Sequence, residues 1–308
     1  MNDLRVALAQ IAPKLGDQEA NLDLHLRFVD RACGEEAGLV VFPELSLTGY
    51  HLLDQVPDLA VRPGEGPFPD LLRASRAIDI VVGFVEEGPG HRFYNAAAYL
   101  SMGEVRHVHR KLFLPTYGMF QEGREFAQGE RLRGFDSPHA PCGLLICEDL
   151  WHPPCPWLLA QDGVELLLSL SNGPTRGAGP DGRIAGLAAW NDLLRVIARF
   201  HTLFAVHVNR VGCEDGLTFG GGSLVVDPWG AVVAEAPVLE EALVTVDLEA
   251  EAVRRARTVY PLLRDENLEL VYRELGRIRG QRYDLPDRES HGEPVPGSGR
   301  GGRRDTEE

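Results

Sequence analysis

Three residues of different chemical types end apolar or alternating runs that predict β-strands. These residues are Glu44, Lys111 and Cys147. Sites in open α/β sheets usually lie where strands end, so we expect the three side chains at one functional edge. A thiol must lose its proton before it attacks a carbonyl or nitrile carbon, and a carboxylate can accept that proton. An ammonium can hold the oxyanion that then develops. Together, these residue types predict catalysis by a cysteine nucleophile.

Lysine is rare in this chain. Only two of its 31 lysine and arginine residues are lysines, Lys14 and Lys111. A lysine kept where arginine is the rule indicates a place that needs a compact ammonium, because a planar guanidinium does not fit every contact. We interpret Lys14, near the N-terminus, as a lysine that remains by chance in a chain whose codon bias favours arginine. The surroundings of Lys111 favour a functional role.

Other interpretations of the polar residues stay open from these patterns alone. Cys147 is also the kind of small residue that packs a protein core. A Cys–His hydrolase would need a histidine aimed at the thiol, and the candidates are His152, His201 and His207. His107 and His109 could bind a metal from one strand face, but they lack the third ligand of a catalytic zinc site. The segment 220–223 lacks the Gly-Lys-Ser/Thr of a phosphate loop, which favours a tight turn.

The bulk composition argues against several classes of protein. The 308 residues are 44% hydrophobic and 25% charged, with a formal net charge of −15. So acidic a chain lacks the basic surface that nucleic acids and anionic membranes attract, so neither is expected as a partner. No apolar run approaches the ~20 residues of a membrane span, and the N-terminus has no secretory pattern. Five cysteines without an export signal predict reduced thiols and a cytoplasmic location.

The elements that must position these residues alternate along the chain, which is typical of an α/β domain. Predicted helices cover 21–33, 69–78, 185–200, 249–257 and 267–279, and predicted strands include 4–10, 39–42, 80–85, 93–100, 104–109, 144–146, 166–170 and 203–208. Prolines at 153, 154 and 156 are expected to exclude regular structure after His152. We predict one domain over 1–280 and a disordered tail over 281–308.

The motifs around the three residues resemble those of a known family. Phe42-Pro43-Glu44-Leu45, His109-Arg110-Lys111-Leu112 and Ile146-Cys147-Glu148-Asp149 are similar, in order and type, to the three motifs of the nitrilase (carbon–nitrogen hydrolase) superfamily. The resemblance implies an α/β fold, a four-layer α-β-β-α sandwich, assembled as a homodimer or higher homo-oligomer. It also implies amide or nitrile hydrolysis by a Glu-Lys-Cys triad without metal or other cofactor. Glu122 would orient Lys111 and contact the substrate amide.

Within the superfamily, the segments 114–122 and 147–153 most resemble the glutaminase domain of glutamine-dependent NAD synthetase. Two departures from that branch affect the expected function. The sequence ends where the synthetase domain would begin, so we expect a stand-alone protein. A serine of the branch, which would bind the amino-acid end of glutamine, is Gly173 here, although Arg176 or Arg183 could still meet a carboxylate.

These observations predict a hydrolase that opens a small linear amide through a Cys147 thioester. Glu44 would move the proton, while Lys111 and the backbone N–H of Glu148 hold the oxyanion. The residues expected to bind the substrate are Tyr117, Phe120, Glu148, Trp151 and Arg176. A small nitrile as substrate, or a glutaminase-like supply of ammonia, is the alternative. A non-catalytic binding module is disfavoured by the intact triad.

Overall fold

Fourteen strands and nine α-helices lie within residues 1–175 and 184–283, the parts of the chain that this computed structural model describes. The strands are β1 Leu4–Gln10, β2 Leu39–Val41, β3 Asp79–Gly88, β4 Arg92–Ser101, β5 Glu104–Arg110, β6 Phe135–Asp136, β7 Pro141–Ile146, β8 Leu166–Ser171, β9 Phe204–Asn209, β10 Val211–Glu214, β11 Leu217–Gly220, β12 Leu224–Val226, β13 Val232–Glu235 and β14 Ala242–Leu248. The helices are α1 Gln18–Gly34, α2 Val56–Leu59, α3 Phe68–Ala74, α4 Glu122–Glu125, α5 Pro154–Gln161, α6 Ala185–His201, α7 Ala250–Val259, α8 Leu262–Asp265 and α9 Leu268–Tyr283.

Two six-stranded sheets form the centre of the fold. The first has the order β14-β1-β2-β3-β4-β5, and its strands β1, β2 and β3 are parallel neighbours. The second has the order β13-β12-β9-β8-β7-β6, with β7, β8 and β9 parallel. Side chains from both sheets, among them Leu8, Tyr99 and Leu144, share one apolar cluster. The sheets therefore pack face to face around a common core.

Helices cover the outer faces of both sheets. On the first sheet, Phe28 of α1 and Leu71 of α3 belong to an apolar cluster with Val82 of β3. On the second sheet, Leu159 of α5 and Leu194 of α6 pack with the buried strand residues. The predicted four-layer α-β-β-α sandwich is thus confirmed.

The segment after Cys147 contradicts one prediction. Regular structure was not expected beyond His152, yet a 3-10 turn over Cys147–Trp151 is followed closely by α5, Pro154–Gln161. Prolines at 153, 154 and 156 are tolerated because the first turn of a helix has no intrahelical partners for its N–H groups. The hairpin of β10 and β11 was also not predicted, since its strands are only four residues long.

The described chain divides into two units. Residues 1–263 form the first, which contains both sheets, and the described part of the second runs over 264–283. The domain boundary predicted at 280 stays a prediction. Residues 281–283 of the predicted tail belong to α9, and the rest of that tail, from 284 onward, lies outside the described residues. No helix in the described ranges combines the length and the apolarity that crossing a membrane requires.

Candidate active site

Glu44 lies in a loop that rests directly on a neighbouring strand. The loop leaves β2, and its residue Leu45 has a left-handed φ of 46°. It packs against Gly83 of β3, where a Cβ would lie 2.4 Å from the Leu45 nitrogen and 2.5 Å from the Pro43 oxygen. The N–H of Leu47 donates to the Gly83 oxygen at 3.1 Å. The absence of a side chain at Gly83 therefore fixes where the carboxylate of Glu44 can lie.

The buried carboxylate of Glu44 is held by hydrogen bonds from both sheets. Asn95 Nδ2 and Lys111 Nζ each donate to Oε1 at 2.7 Å. The backbone N–H of Asn172, just beyond β8, donates to Oε2 at 2.8 Å. The Asn172 side-chain amide also donates to the backbone oxygen of Glu44 at 2.8 Å. Hydrogen bonds to a charged group contribute about 1.5–3 kcal/mol each, so the carboxylate has one well-defined orientation.

Lys111 follows β5 and is completely enclosed. Its N–H donates to the Asn95 oxygen at 2.8 Å, and its own backbone oxygen accepts from the N–H of Gly129 at 2.8 Å. A Cβ at Gly129 would lie 2.3 Å from a backbone oxygen of β5, so only glycine allows this approach. The ammonium Nζ lies 2.7 Å from Oε1 of Glu44 and 2.7 Å from Oε1 of Glu122. One cation thus joins two carboxylates.

Cys147 occupies the first residue of the 3-10 turn that follows β7. Its φ of 45° is left-handed, which is uncommon for a residue with a side chain and costs of order 1–3 kcal/mol. Strain of this kind concentrates at functional sites. Ser171, the last residue of β8, donates its hydroxyl to the Cys147 sulfur at 3.4 Å. The ends of two parallel strands therefore meet at the thiol.

The buried carboxylate of Asp149 ties the lysine strand to the cysteine turn. Its Oδ1 accepts the backbone N–H groups of Leu112 and Phe113 at 2.9 and 3.0 Å. Its Oδ2 accepts from His109 Nε2 at 2.9 Å and from the Ile146 N–H at 3.1 Å. These donors come from the end of β5 and the end of β7. Asp149 therefore fixes the spacing between Lys111, which follows β5, and Cys147, which follows β7.

The protonation of the site follows from burial and charge. Burial raises the pKa of the Cys147 thiol, the negative Glu44 raises it further, and Lys111 opposes both. Burial alone would lower the pKa of Lys111, but the negative charges of Glu122 and Glu44 hold it well above its usual value. Burial also raises the pKa of Glu122 to about 7, against the opposing effect of Lys111. The resting site therefore holds a neutral thiol beside a charged ammonium.

The sequence of this chain matches the carbon–nitrogen hydrolase family over residues 5–258. It belongs to the carbon–nitrogen hydrolase family. The three motifs that resemble the family thus lie inside the matched region, and the structure brings Glu44, Lys111, Glu122 and Cys147 into one buried cluster.

This chain is similar to proteins of two kinds. It is 34% identical over 303 residues to the glutamine-dependent NAD(+) synthetase of Thermotoga maritima, an alignment that covers 96% of this chain and 50% of that protein. It is 33% identical over 287 residues to an (R)-stereoselective amidase of a Pseudomonas species, covering 92% and 96%. Among solved structures, the NitN amidase from Neterenkonia sp. AN1 aligns with a TM-score of 0.73 and 26% identity, over 88% and 99% of the two chains. The chain spans about half the length of the NAD synthetases it matches.

The structure describes four of the five predicted substrate-binding residues. Tyr117, 59% exposed, donates its hydroxyl to Glu148 Oε2 at 2.8 Å. Phe120 lies edge-on to Tyr117, with ring centres 5.7 Å apart. Trp151, 42% exposed, is the last residue of the turn that begins at Cys147. Its ring centre lies 5.1 Å from that of Trp190. Arg176, like Arg183, lies outside the described residues. The binding roles of all five predicted residues stay predictions.

Gly173 lies close to the side chains of Trp190 and Asn209. A Cβ at this position would lie 3.1 Å from Trp190 Nε1 and 3.4 Å from Asn209 Nδ2. Trp190 is itself fixed, because it is buried and stacks on His207 with ring centres 4.6 Å apart. A side chain at position 173 would therefore require the indole to shift by a few tenths of an ångström.

The histidines that were considered as catalytic or metal-binding have other contacts. His207 bonds to Ser169 Oγ at 2.9 Å, and burial lowers its pKa to about 3. His152 stacks on Phe113 at 3.5 Å. His107 stacks on Phe135, and His109 bonds to Asp149. Within residues 1–175 and 184–283, no three His, Cys, Asp or Glu side chains are grouped as a metal site would require.

Several functional contacts were not predicted. Asn95 and Asn172 were not named, although a lone asparagine amid the apolar residues of β4 is a detectable signal. The contact of Tyr50, whose hydroxyl donates to Glu122 Oε1 at 2.7 Å, was not predicted either. No local pattern predicts that last contact, because the two residues lie 72 positions apart.

Proposed function

We propose that this carbon–nitrogen hydrolase is an amidase that opens small linear amides through a thioester on Cys147. The observation that carries the proposal is the position of Lys111 Nζ, 2.7 Å from both Glu44 and Glu122, beside a thiol whose pKa responds to all three charges. A proton acceptor, an oxyanion holder and a nucleophile thus share one buried site. The similarity to the (R)-stereoselective amidase supports the amide as substrate.

The first half of the proposed reaction forms the thioester. Glu44 takes the proton of Cys147 as the sulfur attacks the amide carbon. The oxyanion is held by Lys111 and by the backbone N–H of Glu148, which lies in the first turn of a 3-10 helix and has no intrahelical acceptor. When the C–N bond breaks, Glu44 returns the proton to the departing ammonia or amine, and the acyl group stays on the sulfur.

The second half releases the acid. Glu44 takes a proton from a water molecule, whose oxygen attacks the thioester carbon. The same two donors hold the second oxyanion. The C–S bond then breaks, the proton returns to the sulfur, and the free acid leaves. The site is restored because one carboxylate serves as base and then as acid in both halves.

Ammonia release from a panel of linear amides, N-carbamoyl compounds, glutamine and nitriles tests the proposal. We expect an amide to be turned over and Cys147→Ala to lose all measurable turnover, because the variant lacks the sulfur on which the proposed thioester forms. Cys155→Ala is the matched control, since Cys155 is also a buried free thiol but lies in α5. Wild-type turnover by Cys147→Ala would refute the mechanism, and turnover of nitriles alone would replace the amide as substrate.

A glutaminase-like supply of ammonia is the second candidate, and the similarity to NAD synthetases favours it. The residue at position 173 weighs against it, because glycine lacks the hydroxyl expected to bind the amino-acid end of glutamine, and a Cβ there would lie 3.1 Å from Trp190 Nε1. A kcat/KM for glutamine above those for simple aliphatic and aromatic amides would establish this candidate over the first.

Assembly and location are also proposals. We propose a cytoplasmic homodimer or higher homo-oligomer, in keeping with the family resemblance and with five free thiols. Light scattering on the eluting protein would measure the mass directly. A single 33.9 kDa species at micromolar concentration would contradict the oligomer.

A further inference from the structure

One oxygen of Glu122 is fixed by two donors, while the other has no protein partner. Oε1 accepts from Lys111 Nζ and from the hydroxyl of Tyr50, each at 2.7 Å. Oε2 is buried and has no hydrogen-bond partner among the described residues. Two donors on one oxygen define the plane of the carboxylate and so define where Oε2 points. Tyr50 therefore helps to set the direction of Oε2, an oxygen that can accept a hydrogen bond beside Lys111 and Glu44.

The backbone around Tyr50 is held by a buried carboxylate. Glu214, the last residue of β10, accepts the N–H groups of Tyr50 and His51 on its Oε1, at 2.9 and 2.6 Å. A Cβ at Gly49 would lie 2.9 Å from Glu214 Oε2, so the glycine allows the loop to come this close. These contacts fix the main chain from which the tyrosine hydroxyl reaches Glu122.

Arg210 in turn holds Glu214. It is completely buried, and its Nη1 donates to Glu214 Oε2 while Nη2 donates to the Pro13 oxygen at 3.0 Å. Its guanidinium lies 4.4 Å from the ring centre of Phe219, which meets the ring of Tyr50 edge-on at 6.3 Å. Burying an ion pair costs several kcal/mol of desolvation per ion, so stability alone does not explain why this pair is buried. We call these two residues the Arg210–Glu214 clamp.

We propose that Tyr50 is a positioning residue for the amidase reaction, and that the Arg210–Glu214 clamp holds its hydroxyl on Glu122. Tyr50 favours the ionised form of Glu122 and turns its free oxygen toward the substrate's N–H. The catalytic consequence rests on the proposed function, whereas the effect of Tyr50 on Glu122 is a property of the protein alone.

The charges that face Glu122 set the direction of the effect. Lys111 at the end of β5 lowers the pKa of Glu122, and Glu44 beyond β2 raises it. The hydroxyl of Tyr50 lowers that pKa by donating to the ionised form, and Cys147 is a neutral thiol whose own pKa is raised. Removing the hydroxyl while keeping the ring should therefore raise the pKa of Glu122. The loss of one hydrogen bond to a charged group corresponds to about one pH unit.

The test is a titration of Glu122 in the intact chain by carbon-13 NMR of the glutamate carboxyl groups, with its signal assigned by its loss in Glu122→Gln. We expect Tyr50→Phe to raise the midpoint by about one pH unit. Tyr99→Phe is the matched control, since its buried hydroxyl donates to Asp79 at 2.6 Å and not to the catalytic cluster. An unchanged midpoint in Tyr50→Phe, or an equal shift in the control, would overturn the proposal.

Two further measurements cover a Tyr50→Phe variant that does not fold and the link between Glu122 and the reaction. If Tyr50→Phe does not fold, 3-fluorotyrosine at position 50 gives a more acidic donor of nearly the same size, and the midpoint must then fall. For the reaction, the acid limb of kcat/KM should move upward with the NMR midpoint in Tyr50→Phe. A uniform loss of kcat/KM at every pH would contradict the positioning role. A shifted midpoint in a protein that hydrolyses no amide would refute the proposed function and leave the effect on Glu122 standing.

Discussion

The choice of lysine at position 111 is explained by its contacts. The Nζ atom lies 2.7 Å from two different carboxylates in a space with almost no solvent exposure. An ammonium is a compact charge with three donors, which allows it to bond Glu44 and Glu122 and still hold an oxyanion. A guanidinium is larger and planar, so it would displace at least one carboxylate. The scarcity of lysine in the sequence was thus an informative signal.

Replacing this lysine by arginine tests that explanation. Because the charge is kept and the geometry is lost, we expect Lys111→Arg to lower kcat/KM by about 10²–10³, the usual effect of losing an oxyanion donor. Lys14→Arg is the control, since the only other lysine of the chain is exposed and should tolerate the change. Steady-state kinetics on the best amide gives the ratio. Equal kcat/KM for Lys111→Arg and wild type would show that any cation serves.

The elements act on the site through close backbone approaches. Gly83 is the sharpest case, because the Glu44 loop rests on the backbone of β3 at this residue. We expect Gly83→Ala to push the loop off the strand and to lower kcat by at least about tenfold, since small displacements of a catalytic group are costly. Gly34→Ala is the control, as a Cβ there meets no atom within 4 Å. Both proteins should show the circular dichroism of the wild type, and unaltered kcat in Gly83→Ala would disprove the steric argument.

The sequence indicated the elements better than the contacts between them. The strands that carry the triad were predicted because apolar runs such as 39–42 are sufficient to mark a buried strand. Helix α5 was missed because its prolines were judged as interior residues, whereas they lie in its first turn. The contact between Tyr50 and Glu214 joins residues 164 positions apart, and only the packing of the whole sandwich brings them together. Local patterns contain no information on such a pair.

At the scale of the whole molecule, the burial of Glu122 makes stability depend on pH. The pKa of Glu122 is raised to about 7 by burial, above the ordinary value of 4.5 expected in the unfolded chain. The folded state therefore binds more protons than the unfolded state between these two values, and the free energy of unfolding falls as pH rises through that window. The folded protein is therefore less stable when Glu122 is ionised, and this ionisation occurs near neutral pH.

Glu122→Gln should remove this dependence. We expect the free energy of unfolding of the variant, relative to wild type, to increase between pH 5 and pH 8 by up to about 3 kcal/mol. Urea unfolding at both pH values measures it, and Glu65→Gln, at an exposed position, is the control whose difference from wild type should stay constant. A Glu122→Gln curve parallel to that of the wild type would show that Glu122 ionises alike in both states.

The packing of Trp190 against Gly173 also restricts how this protein could evolve. A serine at position 173 would place its Cβ 3.1 Å from the indole nitrogen, so Trp190, which stacks on His207, would have to shift by a few tenths of an ångström. Replacing the glycine first is therefore disfavoured, whereas shrinking Trp190 first opens the space and makes the serine acceptable. Substitutions at positions 173 and 190 are therefore expected to be non-additive. A serine at position 173 should be tolerated better after Trp190 has been replaced by a smaller residue than before.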